Sequence, residues 1–153
     1  MTSPSRTNAA WPRRRADRST RSSAAHNRGV TILLVGAGGF FGAILRYLVD
    51  SVVTQAAGST FPWGTLVINV SGSFVLGLLF ALVVDKGVLP AGIRAPILIG
   101  FIGAYTTFST WTLESWRLVE AGSWPLAIAN IVGSVVLGMI AVVCGLALGR
   151  ALA

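Results

Sequence analysis

Residues 100–115 read GFIGAYTTFSTWTLES, and this stretch decides the fold because hydroxyl side chains interrupt an otherwise apolar segment. The hydroxyl run comprises Thr106, Thr107, Ser109 and Thr110. Polar groups at membrane depth are tolerated only where they pair, face protein or line a wet path. Glycines precede the run at positions 100 and 103, so the pattern predicts a helix that is broken here. A broken helix exposes the backbone donors and acceptors that ion pathways use, so we place the candidate functional site in this segment.

The composition of the whole chain is that of a membrane protein. Of its 153 residues, 54% are apolar and 11% are charged, and the mean hydropathy is +0.74, outside the range of ordinary soluble domains. Four apolar stretches, at 31–53, 64–84, 95–118 and 126–148, each have about the 20 residues needed to cross ~30 Å of hydrocarbon. Glycine, proline and charged residues separate them, as in loops. The sequence therefore predicts an all-α integral membrane protein with four transmembrane helices, the third broken, in a domain of residues 30–153.

The first 29 residues differ from the rest of the chain. They contain seven of the twelve basic residues and one acid, Asp17, and so carry +6 of the formal charge of +7. We predict a disordered basic N-terminal tail, 1–29, that fixes orientation because basic residues stay on the cytoplasmic side. Two other interpretations remain open: an organelle transit peptide, and a translation start near Val30. Because the excess charge is confined to the tail, it predicts no nucleic-acid partner.

Enzyme chemistry is not indicated by the sequence. Cys144 is the single cysteine and lies within the fourth apolar stretch, and His26 has no ligand partners near it. The glycines of residues 36–39 lie inside a predicted span and lack the preceding strand that a nucleotide-binding loop requires. We therefore expect neither a catalytic site nor a metal site built from side chains.

Small residues recur at four-residue spacing along the predicted helices. Gly38 and Gly42 form one such pair, and Gly145 and Gly149 form another. This spacing lets helix backbones approach closely, which is the main packing device in lipid. Since four short helices have little interior of their own, these surfaces predict an oligomer, most simply a dimer.

Two predicted helices also carry a polar face. Thr65, Asn69 and Ser73 follow each other at four-residue intervals on the second helix, and Asn130 and Ser134 do so on the fourth. Such residues serve either as hydrogen-bonding glue between helices or as the wall of a pathway. Their combination with the hydroxyl run favours the pathway.

Three motifs resemble one known family. Residues 38–47 read GGFFGAILRY, residues 62–72 read PWGTLVINVSG, and residues 100–111 read GFIGAYTTFSTW. In order and spacing they are similar to the motifs of the Fluc fluoride channels, also called CrcB proteins. The resemblance implies a fluoride-specific channel in the bacterial inner (plasma) membrane that passively exports fluoride and so reduces its toxicity. It also implies an antiparallel dimer of four-helix subunits with two pores.

The resemblance further implies roles for individual residues. A structural sodium ion at the dimer interface would be held by the backbone carbonyls of Gly103 and Thr106. The motif acid after the break corresponds to Glu114. Residues expected to line the fluoride pore or its vestibule are Asn69, Thr107, Phe108, Ser109, Thr110, Trp111, Asn130, Ser134 and Arg46.

These side chains suit a small, strongly hydrated anion. An amide N–H and rotatable hydroxyls can replace its water, and an aromatic ring presents a positive edge. The expected pore wall has no cation, which keeps binding weak enough for release. Arg46, near the end of the first helix, would gather anions without trapping them.

Two positions depart from the usual family pattern. Trp111 stands where a phenylalanine is usual, and Asn130 stands where a tyrosine is usual. Because each pore of the family draws on both subunits, the chain could form a homodimer or could pair with a homologous, oppositely oriented subunit.

Two rival functions remain open on the residues alone. A small multidrug or cation exporter requires a membrane-embedded carboxylate, normally in the first helix. Here Asp50 lies near the end of that helix and Glu114 belongs to the third. The other rival is a non-conducting partner subunit of a heterodimeric fluoride channel.

Overall fold

The computed structural model describes residues 18–152, with side chains described from residue 27. Over this range the regular structure is helical. The α-helices are α1 (Arg18–Ala57), α2 (Trp63–Phe80), α3 (Ala91–Ala95), α4 (Gly103–Tyr105), α5 (Phe108–Glu120) and α6 (Trp124–Ala151). Two π-helical segments complete them: Ala81–Asp85 extends α2, and Pro96–Ile102 joins α3 to α4.

Four helical segments in the described range are long and apolar enough to cross a membrane. They are Asn27–Ala57, Trp63–Asp85, Ala91–Glu120 and Trp124–Ala151. Each contains one of the predicted stretches and extends it by a few residues. The predictions of an all-α class and of four spans are confirmed, and the chain is a multi-pass membrane protein.

The N-terminal boundary differs from the expected one. Helix α1 begins at Arg18, so residues 18–29 of the expected tail are helical. Arg, Ser and Ala are compatible with a helix, and extending an existing apolar helix avoids the cost of a new nucleus. Residues 1–17 lie outside the described part of the chain, so disorder there stays a prediction.

Glycine contacts hold the helices together. Helix α2 packs along α6, while α1 packs against the π-helical segment Pro96–Ile102. A Cβ on Gly42 would overlap the carbonyl oxygen of Phe101, and a Cβ on Gly100 would lie 2.6 Å from that of Val35. Gly38, Gly145 and Gly149 likewise face the backbone of a neighbouring segment. The predicted role of these glycines in close packing is therefore confirmed.

The outward faces of the bundle remain apolar and exposed. Helix α1 is the least buried of the four spans, and side chains such as Leu33, Phe40 and Leu48 are uncovered in the single subunit. Such surfaces fit lipid or another subunit and do not fit water.

Candidate functional site

The backbone leaves the helical conformation at two threonines between α4 and α5. Thr106 has φ −76° and ψ 158°, and Thr107 has φ −147° and ψ 115°, so both are extended. Thr107 then caps α5: its Oγ1 accepts a hydrogen bond from the Thr110 amide at 3.3 Å and donates to Thr110 Oγ1 at 2.8 Å. Threonine suits this position because its hydroxyl satisfies an amide that has no partner in the first turn.

Asn69 on α2 holds this extended segment. Its Oδ1 accepts from the Thr107 amide at 2.9 Å, and its Nδ2 donates to the Thr107 carbonyl at 3.1 Å. One side-chain amide therefore satisfies both backbone polar groups of a single residue and keeps one further N–H. Gly72, almost one turn along α2, lets the helix approach, because a Cβ there would overlap the Thr106 methyl group.

The same contacts release two backbone carbonyls. In a continuous helix the Thr107 amide would donate to the Gly103 carbonyl, and the Thr110 amide would donate to the Thr106 carbonyl. Here both amides bind side-chain oxygens, those of Asn69 and Thr107. The carbonyls of Gly103 and Thr106 thus lose their helical donors, at the negative end of a helix where cations are favoured.

A cavity of about 300 Å³ opens beside the extended segment. Helix α2, the two threonines, α5 and α6 all contribute to its wall. The lining residues are Asn69, Gly72, Ser73, Leu76, Thr106, Thr107, Phe108, Trp111, Ser134 and Val135. Of the residues predicted to carry the function, Asn69, Thr106, Thr107, Phe108, Trp111 and Ser134 are brought together here.

Four side chains form the α5–α6 polar cluster: Trp111 and Ser134, which line the cavity, and Ser115 and Asn130, which lie behind it. The Trp111 indole donates to the Asn130 carbonyl at 3.2 Å, and Asn130 Nδ2 donates to Ser115 Oγ at 2.9 Å. Ser134 Oγ donates to Asn130 Oδ1 at 3.3 Å, and Ser115 Oγ donates to the Trp111 carbonyl at 2.8 Å. Asn130 is 0% exposed, so in this subunit it lies behind Ser134 and not in the cavity wall.

Other predicted residues lie outside the cavity wall. Ser109 and Thr110 are exposed on the first turn of α5, and Arg46 is half-buried on α1. Gly103 is exposed and precedes the extended segment. Phe108 lines the cavity but is 76% exposed, with its ring centroid 5.2 Å from that of Trp111.

Glu114 belongs to a second cavity, of about 350 Å³, which it shares with Asp50 and Arg117. Its Oε2 is buried and receives no hydrogen bond from the described residues. Thr65 is buried beside this carboxylate. The polar face of α2 is therefore divided: Thr65 lies beside Glu114 of the second cavity, whereas Asn69 and Ser73 line the first cavity.

Comparison with known proteins identifies the family. The family model described as CrcB-like protein, Camphor Resistance (CrcB), matches residues 33–146. The chain belongs to the CrcB family.

Several relatives of this CrcB sequence have names that state a function. The protein named "Fluoride-specific ion channel FluC" from Magnetococcus marinus is 44% identical over 119 residues, which are 78% of this chain and 97% of that protein. The protein of the same name from Rhizobium meliloti is 48% identical over 121 residues, 79% and 97% of the two chains. The one from Hahella chejuensis is 44% identical over 119 residues, 78% and 94%. The resemblance seen in the three sequence motifs is thereby confirmed.

The CrcB match includes every residue that lines the cavity but not residues 1–32. Among the polar contacts around the cavity, the sequence analysis did not predict those of Ser115. Its only signal was its position four residues after Trp111, which places both on one face of α5.

Proposed function

We propose that this chain is a subunit of a fluoride channel that lets fluoride leave the cytoplasm passively. The observation that carries the proposal is the cavity beside the two extended threonines, where donors from three helical segments converge. The names of the CrcB relatives support it. The exporter interpretation is not favoured, because those relatives are named as fluoride-specific channels.

In this proposal the cavity replaces the water around fluoride with weak, movable donors. Asn69 keeps one N–H after binding Thr107, and the first turn of α5 adds backbone amides without helical partners. The Ser134 hydroxyl can turn toward the ion, and the edge of Phe108 is positive. Among the residues that line the cavity none is lysine or arginine, which allows the ion to leave as well as to bind.

We further propose that the two extended threonines are the functional break of the third span and that they create a sodium site. The residues fit a cation, because the carbonyls of Gly103 and Thr106 have lost their helical donors and are oxygen ligands of the kind that alkali cations bind. When bound, sodium would supply positive charge that neutralises the helix end and fastens the segment.

The incompleteness of that site supports a dimer. Two carbonyls are only part of a cation's coordination shell. An oppositely oriented second subunit would contribute a second pair of carbonyl oxygens and would cover the exposed Gly103 and Phe108. The second subunit is either another copy of this chain or a homologue.

The proposal is tested by ion efflux from liposomes that contain the purified protein. Vesicles loaded with potassium fluoride or potassium chloride are compared after addition of valinomycin, which supplies the counter-current. We expect rapid fluoride release and no chloride release above that of empty vesicles. Fluoride release at the rate of empty vesicles would overturn the proposal for this chain by itself, and its restoration by a co-purified homologue would identify a heterodimer.

Replacing Trp111 separates its ring from its indole N–H. Trp111→Phe removes the 3.2 Å hydrogen bond to the Asn130 carbonyl but keeps an aromatic edge in the cavity. We expect fluoride efflux at or above the original rate, whereas Trp111→Ala should lower it about fivefold, since one removed edge contact is worth about 1 kcal/mol. Equal efflux in all three proteins would place Trp111 outside the pathway.

Orientation in the membrane is predicted from the basic residues. The Arg150–Asp85 ion pair, at 3.2 Å, joins the ends of the second and fourth spans. Lys86 and Arg94 share that side with Arg150, against Arg46 and Arg117 on the other, so the core is nearly balanced. Arginines at the start of α1 break the balance, and we expect a C-terminal reporter to give a cytoplasmic signal alone.

The matched control replaces all seven arginines of the tail with glutamine in the same fusion: Arg6, Arg13, Arg14, Arg15, Arg18, Arg21 and Arg28. Signals from both sides should then appear, because the remaining bias is three basic residues to two. Signals from both sides in the original chain would instead mean dual insertion and a homodimer.

A further inference from the structure

Ser115 forms hydrogen bonds with two other residues of the α5–α6 polar cluster, Trp111 and Asn130. It is buried, and its hydroxyl has a single hydrogen, which it donates to the Trp111 carbonyl at 2.8 Å. Only its lone pairs are left to face Asn130, and they accept from Nδ2 at 2.9 Å. Ser115 therefore determines which end of the buried amide points toward α5.

The orientation of Asn130 in turn determines what Ser134 can do. With Nδ2 held by Ser115, the amide presents Oδ1 to Ser134, whose hydroxyl donates to it at 3.3 Å. Ser134 also lines the cavity. Its hydrogen thus has a resting acceptor behind the wall, and it can exchange that acceptor for an anion in front of the wall by rotating about one bond.

The reverse orientation of the amide would remove this exchange. If Asn130 turned over, Nδ2 would donate to Ser134 Oγ, and the Ser134 hydrogen would be left pointing into the cavity. A donor with no alternative acceptor binds an anion more tightly, since leaving it unpaired is costly. Conduction requires that the ion also leave, so a permanent donor would slow throughput.

We propose that Ser115 is a positioning residue for ion passage: it fixes the Asn130 amide so that Ser134 serves as a reversible donor. The inference rests on the proposed fluoride function and adds to it a residue that does not line the main cavity. The order of action is Ser115, then Asn130, then Ser134, and only the last contacts the ion.

The test compares Ser115→Thr with Ser115→Val, two side chains of nearly the same shape that differ in one hydroxyl. Single-channel fluoride current is measured in planar bilayers over a series of fluoride concentrations, with Ser115→Ala as a smaller variant lacking the hydroxyl. We expect Ser115→Thr to match the original protein. We expect Ser115→Val and Ser115→Ala to lower the maximal unitary current about fivefold, the effect of about one hydrogen bond, and to lower the half-saturating fluoride concentration.

A merely structural role predicts a different result. Loss of folded protein reduces the number of channels but changes neither the unitary current nor its half-saturation. Unitary currents that are equal in Ser115→Val, Ser115→Ala and the original protein would overturn the inference and leave the fluoride proposal standing. A missing fluoride current in the original protein would overturn both.

The Ser134→Ala background gives an independent measure. If Ser115 acts through Ser134, removing both hydroxyls should cost no more than removing that of Ser134 alone. Additive losses would show that Ser115 acts elsewhere and would also overturn the inference.

Discussion

Asn69→Asp is expected to abolish fluoride efflux, with a loss of at least about a hundredfold. The carboxylate keeps an oxygen that can accept from the Thr107 amide, a contact of 2.9 Å in the original protein. It replaces Nδ2, which donates to the Thr107 carbonyl at 3.1 Å, with a second oxygen. It also places a negative charge in the cavity wall. Two like charges about 4 Å apart repel by about 4 kcal/mol at an effective dielectric constant of 20, or roughly a thousandfold in an equilibrium constant.

The measurement is fluoride efflux per folded protein, with folding checked by gel filtration and thermal unfolding. Asn27→Asp is the matched control, because it makes the same chemical change at the start of the first span, away from the cavity. We expect the control to conduct normally. A folded Asn69→Asp protein with undiminished efflux would remove Asn69 from the pathway.

Gly145→Ala is expected to be the most damaging single-methyl substitution for stability. Its Cβ would overlap the Phe74 carbonyl oxygen and lie 2.9 Å from the Leu78 amide. Both are backbone atoms of α2, so they cannot move aside as a flexible side chain could. Since α2 and α6 must separate along their whole contact, we expect a loss of about 3 kcal/mol in the free energy of unfolding, the upper part of the range for an overpacked site.

Gly133→Ala on the same helix is the control for Gly145→Ala. No described atom lies within 4 Å of where its Cβ would be, and alanine favours a helix over glycine by about 1 kcal/mol. Unfolding followed by tryptophan fluorescence should therefore show Gly133→Ala as stable as the original or slightly more so. If the two substitutions had equal effects, the close contact between α2 and α6 would not hold in solution.

Much of the architecture could be predicted because it depends on local composition. The four spans follow from apolar length alone, and the small-residue pairs of α1 and α6 indicated where backbones meet. The start of α1 could not be placed, since Arg, Ser and Ala near residue 18 suit both a helix and a disordered segment.

The candidate site was predictable in membership but not in its hydrogen bonds. Asn69 and Ser134 were selected from helical spacing, and both line the cavity. The same spacing selected Asn130, which lies behind the wall. Periodicity indicates which residues share a face of a helix, but it does not indicate which of them a neighbouring helix will cover.

The sequence by itself determined the class of protein, its four spans and its family, because hydrophobic length and motif order are properties of the chain alone. Only the tertiary structure decided the partners of the polar groups. Asn69 meets Thr107 across 38 positions, and Asn130 meets Ser115 across 15. In an apolar surrounding a buried polar group without a hydrogen-bond partner is costly, and the packing of the helices decides which partner lies within hydrogen-bonding distance.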